Sequence, residues 1–181
     1  MPDVMHCVIN PNWPPDIFDV AFVPLTEGKF TTIDLSDLPI ASHFEWSYHR
    51  SNRSNTGYAV TRFEGRPLFM HRLFAKAGPA SDVDHWDMNG LNNRRRNIRP
   101  ATHSENQANR PKPKRGTQSR FKGVRPQRGT KRWEASITVR GKYSYLGSFA
   151  SEEEAALAYN AAALAAWGEY AQLTVVPADL G

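Results

Sequence analysis

Asp84-His85, Asn97 and Asn106 are residues whose types and order suit one chemistry, the hydrolysis of a phosphodiester bond. That reaction needs a water deprotonated near neutral pH, which a histidine can do. It also needs a hard divalent cation on the scissile phosphate to neutralise developing charge. Hard cations take oxygen ligands, so a carboxylate and an amide carbonyl suffice. Asp84 and His85 are consecutive, so on a strand they point to opposite faces. Asn106, in the first turns of a helix, can face back across that strand, and Asn97 can hold the intervening loop through its side-chain amide. Each residue alone is commonplace, and an isolated Asp-His pair is more often a surface or capping pair. Their combination in one short segment is what points to chemistry. Arg94, Arg95, Arg96 and Arg99 lie beside them and suit a phosphate backbone.

These residues need elements to position them. Val83-Asp84-His85 reads as the end of a short strand and Trp86–Arg96 as a polar loop with Asn89, Asn92 and Asn93. Asn97-Ile98-Arg99 reads as a second strand ended by Pro100. A helix follows over Ala101–Asn109, with Thr102 as N-cap and Glu105 completing a capping box. This strand-loop-strand-helix unit is too small to stand alone, so the strands before it must support it. Those are a hairpin around Glu27-Gly28, a strand over Gly57–Phe63 and another over Pro67–Leu73. A short helix opened by Ser36 and a turn over Asn52–Gly57 lie between them. Deleting residues 20–70 is expected to unfold the unit.

Residues 117–176 have a different pattern. Phe121–Arg125 reads as a strand. Lys131–Arg140 alternates strictly, with Trp133, Ala135, Ile137 and Val139 on one face and Arg132, Glu134, Ser136, Thr138 and Arg140 on the other. Gly141-Lys142 turns the chain into a third strand, Tyr143–Phe149. Ser151-Glu152-Glu153-Glu154 is a capping box before the Ala-rich helix Ala155–Trp167, which Gly168 closes. A helix so rich in alanine can lie close on a sheet and leave the other face open, polar and basic. The expected class is α+β: an N-terminal β-rich segment, a strand-strand-helix unit, then a three-stranded antiparallel sheet on one helix. The expected divisions are 1–19 as an irregular lead-in, 20–110 and 117–176 as domains, 111–116 as a basic Pro-rich linker, and 177–181 as a tail.

Charge agrees with this organisation. The net charge of +5 is an average over unlike parts. Residues 85–147 carry 16 basic and 3 acidic side chains, whereas residues 1–84 carry 7 and 10, and residues 148–181 carry none and 5. A concentrated basic stretch with interleaved aromatics is the footprint of nucleic-acid binding. The single cysteine, Cys7, excludes an internal disulfide framework and a zinc site built from two or more cysteines. No apolar run approaches the roughly 18 residues of a membrane span, and no secretory leader is readable.

The chain resembles a known family. His71-Arg72, Val83-Asp84-His85, Gly90-Leu91-Asn92-Asn93-Arg94-Arg95, Asn97-Ile98-Arg99-Pro100-Ala101-Thr102 and Ser104-Glu105-Asn106-Gln107-Ala108-Asn109 are similar to the HNH endonucleases, and most closely to their phage and intron-type homing members. Val23–Lys29 is similar to the segment preceding the motif in those proteins. The resemblance implies a ββα-metal (His-Me finger) core over 82–109, with His85 as general base, Asp84 and Asn106 as metal ligands and Asn97 as loop support. It further implies Mg2+ or Mn2+, no zinc and no organic cofactor. Many relatives have His at the helix position; Asn is usual in the homing subgroup. This chain departs from the family at Met88, which stands where a glycine usually allows a tight turn. A loop of different shape is therefore expected.

The second half resembles the plant ethylene-responsive-factor (Apetala-type) DNA-binding domain. The matching segments are Ser119–Arg125, Trp133–Ile137, Tyr145–Phe149, Glu153–Ala156 and Ala158–Ala163. That family lays its sheet in the DNA major groove. By position, the residues facing DNA are Lys122, Arg125, Arg128, Arg132, Glu134, Ser136, Thr138, Arg140, Tyr143 and Tyr145. Together the resemblances imply a metal-dependent endonuclease of double-stranded DNA, without a membrane partner. They place it in the cytoplasm of a bacterial host, encoded by a phage or mobile element. The alternative is a decayed nuclease that only binds DNA, which Trp86 and Met88 favour and the retained Asp84, His85, Asn97 and Asn106 oppose.

Overall fold

The computed structural model describes residues 19–51, 56–112 and 118–176. The sequence readings for the lead-in at 1–18, the turn at 52–55, the linker at 113–116 and the tail at 177–181 lie outside these. The chain forms two compact units, Met1–Thr102 and His103–Gly181. It is α+β throughout, with small antiparallel sheets and short helices. Among the described residues, no helix is long and apolar enough to cross a membrane.

The first unit opens with the hairpin β1 (Val20–Pro24) and β2 (Phe30–Asp34), turned at Thr26–Gly28 as the Glu27-Gly28 signal predicts. A tight turn at Leu35–Asp37 leads into α1 (Leu38–Ala41), a single helical turn where a short helix opened by Ser36 is expected over residues 36–48. Next comes an antiparallel sheet in the order β3 (Ser47–Arg50), β4 (Gly57–Phe63) and β5 (Arg66–Phe69). The strand expected over Pro67–Leu73 stops at Phe69, where α2 (Met70–Phe74) begins. Met70 and Phe74 are both buried, four residues apart on one helical face, and that burial outweighs the β-like composition.

The hairpin of β6 (Asp82–His85) and β7 (Ile98–Ala101) completes the unit. β7 runs through Pro100, which pairs with Val83, instead of ending there. In a two-stranded sheet both strands are edges, and an edge tolerates a residue without an N–H. Val83 and Ile98 join Ile33, Trp46, Ala59, Met70 and Phe74 in one core. The N-terminal strands therefore supply most of the apolar material under the β6–β7 hairpin.

In the second unit, β8 (Val124–Pro126), β9 (Trp133–Val139) and β10 (Lys142–Phe149) form an antiparallel sheet in the order β10-β9-β8. β8 is shorter than the strand expected over Phe121–Arg125. Gly123 takes φ +71, which interrupts extended backbone, and a side chain there would collide with the Tyr159 ring. The alternation in β9 is as read: Ala135 and Ile137 are buried, while Thr138 is exposed. α4 (Glu152–Trp167) covers the buried face with Ala155, Ala156, Tyr159 and Ala163. Its Ser151–Glu154 capping box is formed, and Gly168 closes it at φ 54.

α3 (His103–Ala108) falls in this second compact unit, whereas the sequence reading groups residues 20–110 as one domain. The reason is local. Trp167 Nε1 donates to Ser104 Oγ at 3.0 Å. Lys122 Nζ donates to the carbonyls of Ala108 at 2.7 Å and Arg110 at 2.8 Å, which satisfies the open end of the helix.

Candidate active site

His85 ends β6 and pairs with Ile98, while Asp84 pairs with Arg99. Strand alternation sends the two side chains to opposite faces. Asp84 is buried, and its Oδ2 accepts from Arg99 Nε at 3.0 Å and Nη2 at 2.9 Å. The Arg99 guanidinium also stands 4.9 Å from the centroid of the exposed Trp86 ring. On the other face His85, only 7% exposed, meets aromatic rings: Tyr58 at 6.1 Å and His71 at 5.1 Å between centroids. Its Nε2 lies 3.2 Å from Asn93 Oδ1. Burial lowers the pKa of His85 below its ordinary 6.5, against an opposing pull from the Asn93 hydrogen bond and from Asp87 and Asp84. The imidazole is therefore neutral at neutral pH, the form a general base must have.

The loop between the strands is clamped from inside. Asn97 Nδ2 donates to Asp87 Oδ1 at 2.9 Å and to the Asn92 carbonyl at 2.8 Å, and its Oδ1 accepts from the Asp87 N–H at 3.1 Å. Asp87 also accepts from the Asn89 N–H at 2.8 Å and from Asn92 Nδ2 at 2.7 Å. Met88 takes φ +61, a left-handed conformation. A non-glycine residue there carries strain of order 1 kcal/mol. The chain turns tightly at this point, with the Met88 N–H donating to the His85 carbonyl at 2.9 Å. Gly90 has a different need: a Cβ there would lie 2.8 Å from the Tyr58 ring.

From outside, β2 holds the same loop. Thr32 and Asn92 form a parallel bridge, with Thr32 N–H donating to the Leu91 carbonyl at 2.9 Å and Asn93 N–H to the Thr32 carbonyl at 2.7 Å. Arg94 Nε donates to Asp34 Oδ1 at 3.1 Å, and Arg95 Nη2 to Asp37 Oδ1 at 2.6 Å. Arg94, Arg95 and Arg99 are thus each joined to a carboxylate of their own unit, and Arg96 is exposed.

Thr31, Tyr58, His71 and Asn93 gather around His85 in the structure, and the sequence does not single them out. Nothing in an Asn-rich loop distinguishes Asn93 from its neighbours, and Thr31 is remote in the chain. Asn106 stands on α3, in the second unit. Among the described residues no group of three or more His, Cys, Asp or Glu side chains could hold a metal. The donors in question are of another kind, one carboxylate and one amide.

In the second unit, Arg125, Arg128, Arg132, Thr138, Arg140, Tyr143 and Tyr145 are exposed. Tyr143 pairs with Thr138 and Tyr145 with Ser136, so these residues share the open face of the sheet. Glu134 and Ser136 are half-buried on it, and Arg125 Nε donates to Glu134 Oε2 at 2.8 Å. Arg132 donates to Ser148 Oγ at 2.9 Å and to its carbonyl at 2.8 Å. Lys122 is directed at the end of α3, and burial lowers its pKa to about 8.

His71 has a consequence for acid stability. Its buried Nδ1 has no hydrogen-bond partner, and burial first, then the charges of His85 and Arg72, push its pKa down to about 3. Both His71 and His85 bind a proton less readily folded than unfolded. As pH falls below 6.5 the unfolded chain takes up protons first, so stability declines, for His71 down to about pH 3. One such group contributes about 1.4 kcal/mol per pH unit. Urea unfolding between about pH 7.5 and pH 5 is expected to show this loss, and His71→Leu to remove one proton's share of the slope. An unchanged slope in His71→Leu rules out a neutral, buried His71.

An uncharacterized HNH endonuclease of Acanthamoeba polyphaga mimivirus is 33% identical to this chain over 150 residues, covering 80% of the chain and 74% of the relative. The chain belongs to the HNH endonuclease family, and is thereby a phosphodiester-cleaving nuclease. No protein-family model matches it, and no solved structure does.

Proposed function

We propose that the protein is a divalent-metal-dependent endonuclease of double-stranded DNA, with His85 as general base, Asp84 and Asn106 as metal ligands and Asn97 as loop support. The observation that carries this reading is the neutral, buried His85 beside the buried carboxylate of Asp84, on opposite faces of one strand end. The donor chemistry suits the group: a carboxylate oxygen and an amide oxygen fit a hard cation such as Mg2+ or Mn2+ and do not favour zinc. When bound, the cation would neutralise charge developing on the scissile phosphate. His85 takes the proton of the attacking water, and burial keeps its nitrogen unprotonated until it does. Arg99 holds Asp84 in place from the neighbouring strand. Asn97 keeps the β6–β7 loop in one shape.

On this reading β6, β7 and α3 make up the ββα-metal unit, and the second unit is an Apetala-type DNA-binding domain. Its open face offers Arg125, Arg128, Arg132, Arg140, Tyr143 and Tyr145 to duplex DNA. Arginines suit the phosphates, and tyrosines suit sugars and base edges. The half-buried Ser136 and the exposed Thr138 put short side chains at two base-reading positions, so sequence preference should differ from that of the plant factors. The place of action implied is the cytoplasm of a bacterial host, with a phage or mobile element carrying the gene. The hydrogen-bonded setting of His85 weighs against a decayed site.

The test is direct. Purified full-length protein is expected to convert supercoiled plasmid to nicked or linear forms with Mg2+ or Mn2+ and to stop when EDTA is added. Supercoiled plasmid that persists with either metal overturns the reading.

A further inference from the structure

We propose that Lys122 and Trp167 are positioning residues that hold α3, and with it Asn106, from within the second unit. The inference rests on the reading of Asn106 as a metal ligand and adds what fixes the helix that carries it.

α3 has six residues, His103–Ala108. A helix of that length is not stable by itself and takes its form from what packs on it. Its anchors come from distant parts of the same unit. Near its start, Ser104 Oγ accepts from Nε1 of Trp167, the last residue of α4, at 3.0 Å. At its end the Ala108 carbonyl accepts from Lys122 Nζ at 2.7 Å and from the Gln172 N–H at 3.3 Å. Ser104 lies two residues before Asn106 and Ala108 two residues after it, so these bonds bracket that residue. Ala108 and Asn109 are buried, and the chain just beyond is tied down as well, with Lys112 Nζ donating to the Phe121 carbonyl.

Lys122 directs its donors at the helix. An ammonium group has three N–H bonds and no acceptor. The carbonyls of Ala108 and Arg110 lie 2.7 and 2.8 Å from Nζ, and that of Gln107 lies 3.5 Å away. A cation also suits the negative end of a helix. With its donors so engaged, Lys122 has little to offer a phosphate. Burial agrees with this: Lys122 is half-buried and its pKa is drawn down to about 8, whereas Arg125 is exposed on the open face of the sheet.

The experiment follows amide exchange, DNA binding and metal requirement in full-length protein. Lys122→Met keeps most of the stem and deletes the charge. The reporting amides are Asn109 N–H, bonded to the Glu105 carbonyl at 3.1 Å, and Arg110 N–H, bonded to the Gln107 carbonyl at 3.2 Å. In metal-free Lys122→Met both are expected to exchange about 10-fold faster. The Mn2+ concentration for half-maximal plasmid cleavage is expected to rise about 10- to 100-fold. The salt dependence of duplex binding should stay at the wild-type slope. Loss of a phosphate contact would instead lower that slope by about 1, and that result overturns the proposal. Unchanged exchange or an unchanged Mn2+ requirement overturns it too.

Trp167→Phe and Ser104→Ala break one hydrogen bond from its two sides. Each should shift exchange and Mn2+ requirement in the same direction by a smaller factor, and together they should do no more than either alone. Additive effects would remove Trp167 from the proposal. Asn106→Ala separates the inference from the reading beneath it. If Asn106→Ala keeps the wild-type Mn2+ requirement, the ligand reading falls, while faster exchange in Lys122→Met still shows that Lys122 anchors α3. If Asn106→Ala raises the requirement and Lys122→Met does not, the ligand stands and the positioning role falls.

Discussion

His85→Ala protein is expected to leave supercoiled plasmid intact under metal and salt conditions in which the wild-type protein consumes it. General base catalysis by a positioned side chain contributes about 100- to 10,000-fold, so residual cleavage should fall by that order. DNA binding should remain close to wild type, because His85 is buried and offers no charge to a phosphate. Folding should survive with a modest loss. Alanine leaves Asn93 Oδ1 without its donor, which costs about 1–3 kcal/mol where no water replaces it. Cleavage by His85→Ala at the wild-type rate in magnesium would remove His85 from the reaction.

Asp84→Ala is expected to fail twice, once in catalysis and once in stability, and the two losses can be separated. The Asp84 side chain is 4% exposed and that of Arg99 13%, with 2.9 Å between Oδ2 and Nη2. Removing one member of a buried pair strands the other charge and costs about 3–5 kcal/mol. Arg99 keeps the Trp86 ring as a neighbour, so the low end of that range is expected. Adding Arg99→Leu removes the stranded cation and should recover most of the stability, measured by urea unfolding. It should not recover cleavage. Higher Mg2+ is expected to raise residual activity in Asp84→Ala, since a weakened site fills by mass action. Restored cleavage in the double variant would mean that Asp84 serves only as the partner of Arg99.

Local rules carried much of the architecture. The alternation in Lys131–Arg140, the Ser151–Glu154 box and Gly168 each depend on neighbours a few residues apart, and each is found as read. The errors arise where tertiary burial competes with local signals. Met70 and Phe74 turn a strand-like segment into a helical turn, and Pro100 stays in a strand because its edge is open. The candidate site divides in the same way. Asp84 and His85 announce themselves by type, and Asn97 by its place in a polar loop. Asn93 and Thr31 are not legible, because a single contact joins them beside His85 and the two lie 62 positions apart in the chain. The arginines have partners that charge counting cannot supply. Arg94 and Arg95 read as phosphate ligands, and each is joined to an aspartate, Asp34 at the end of β2 and Asp37 beyond it.

The grip of β2 on the β6–β7 loop also bears on the order of folding. Thr32 to Leu91, Asn93 to Thr31, Arg94 to Asp34 and Arg95 to Asp37 all close loops of about sixty residues. Contacts of such long range are made late, after the entropy of loop closure has been met. During synthesis the N-terminal hairpin leaves the ribosome well before the loop it must hold. His85 thus gains its hydrogen-bonded setting only when residues 20–100 have come together. A nascent or partly folded chain carries Asp84 and His85 without that arrangement.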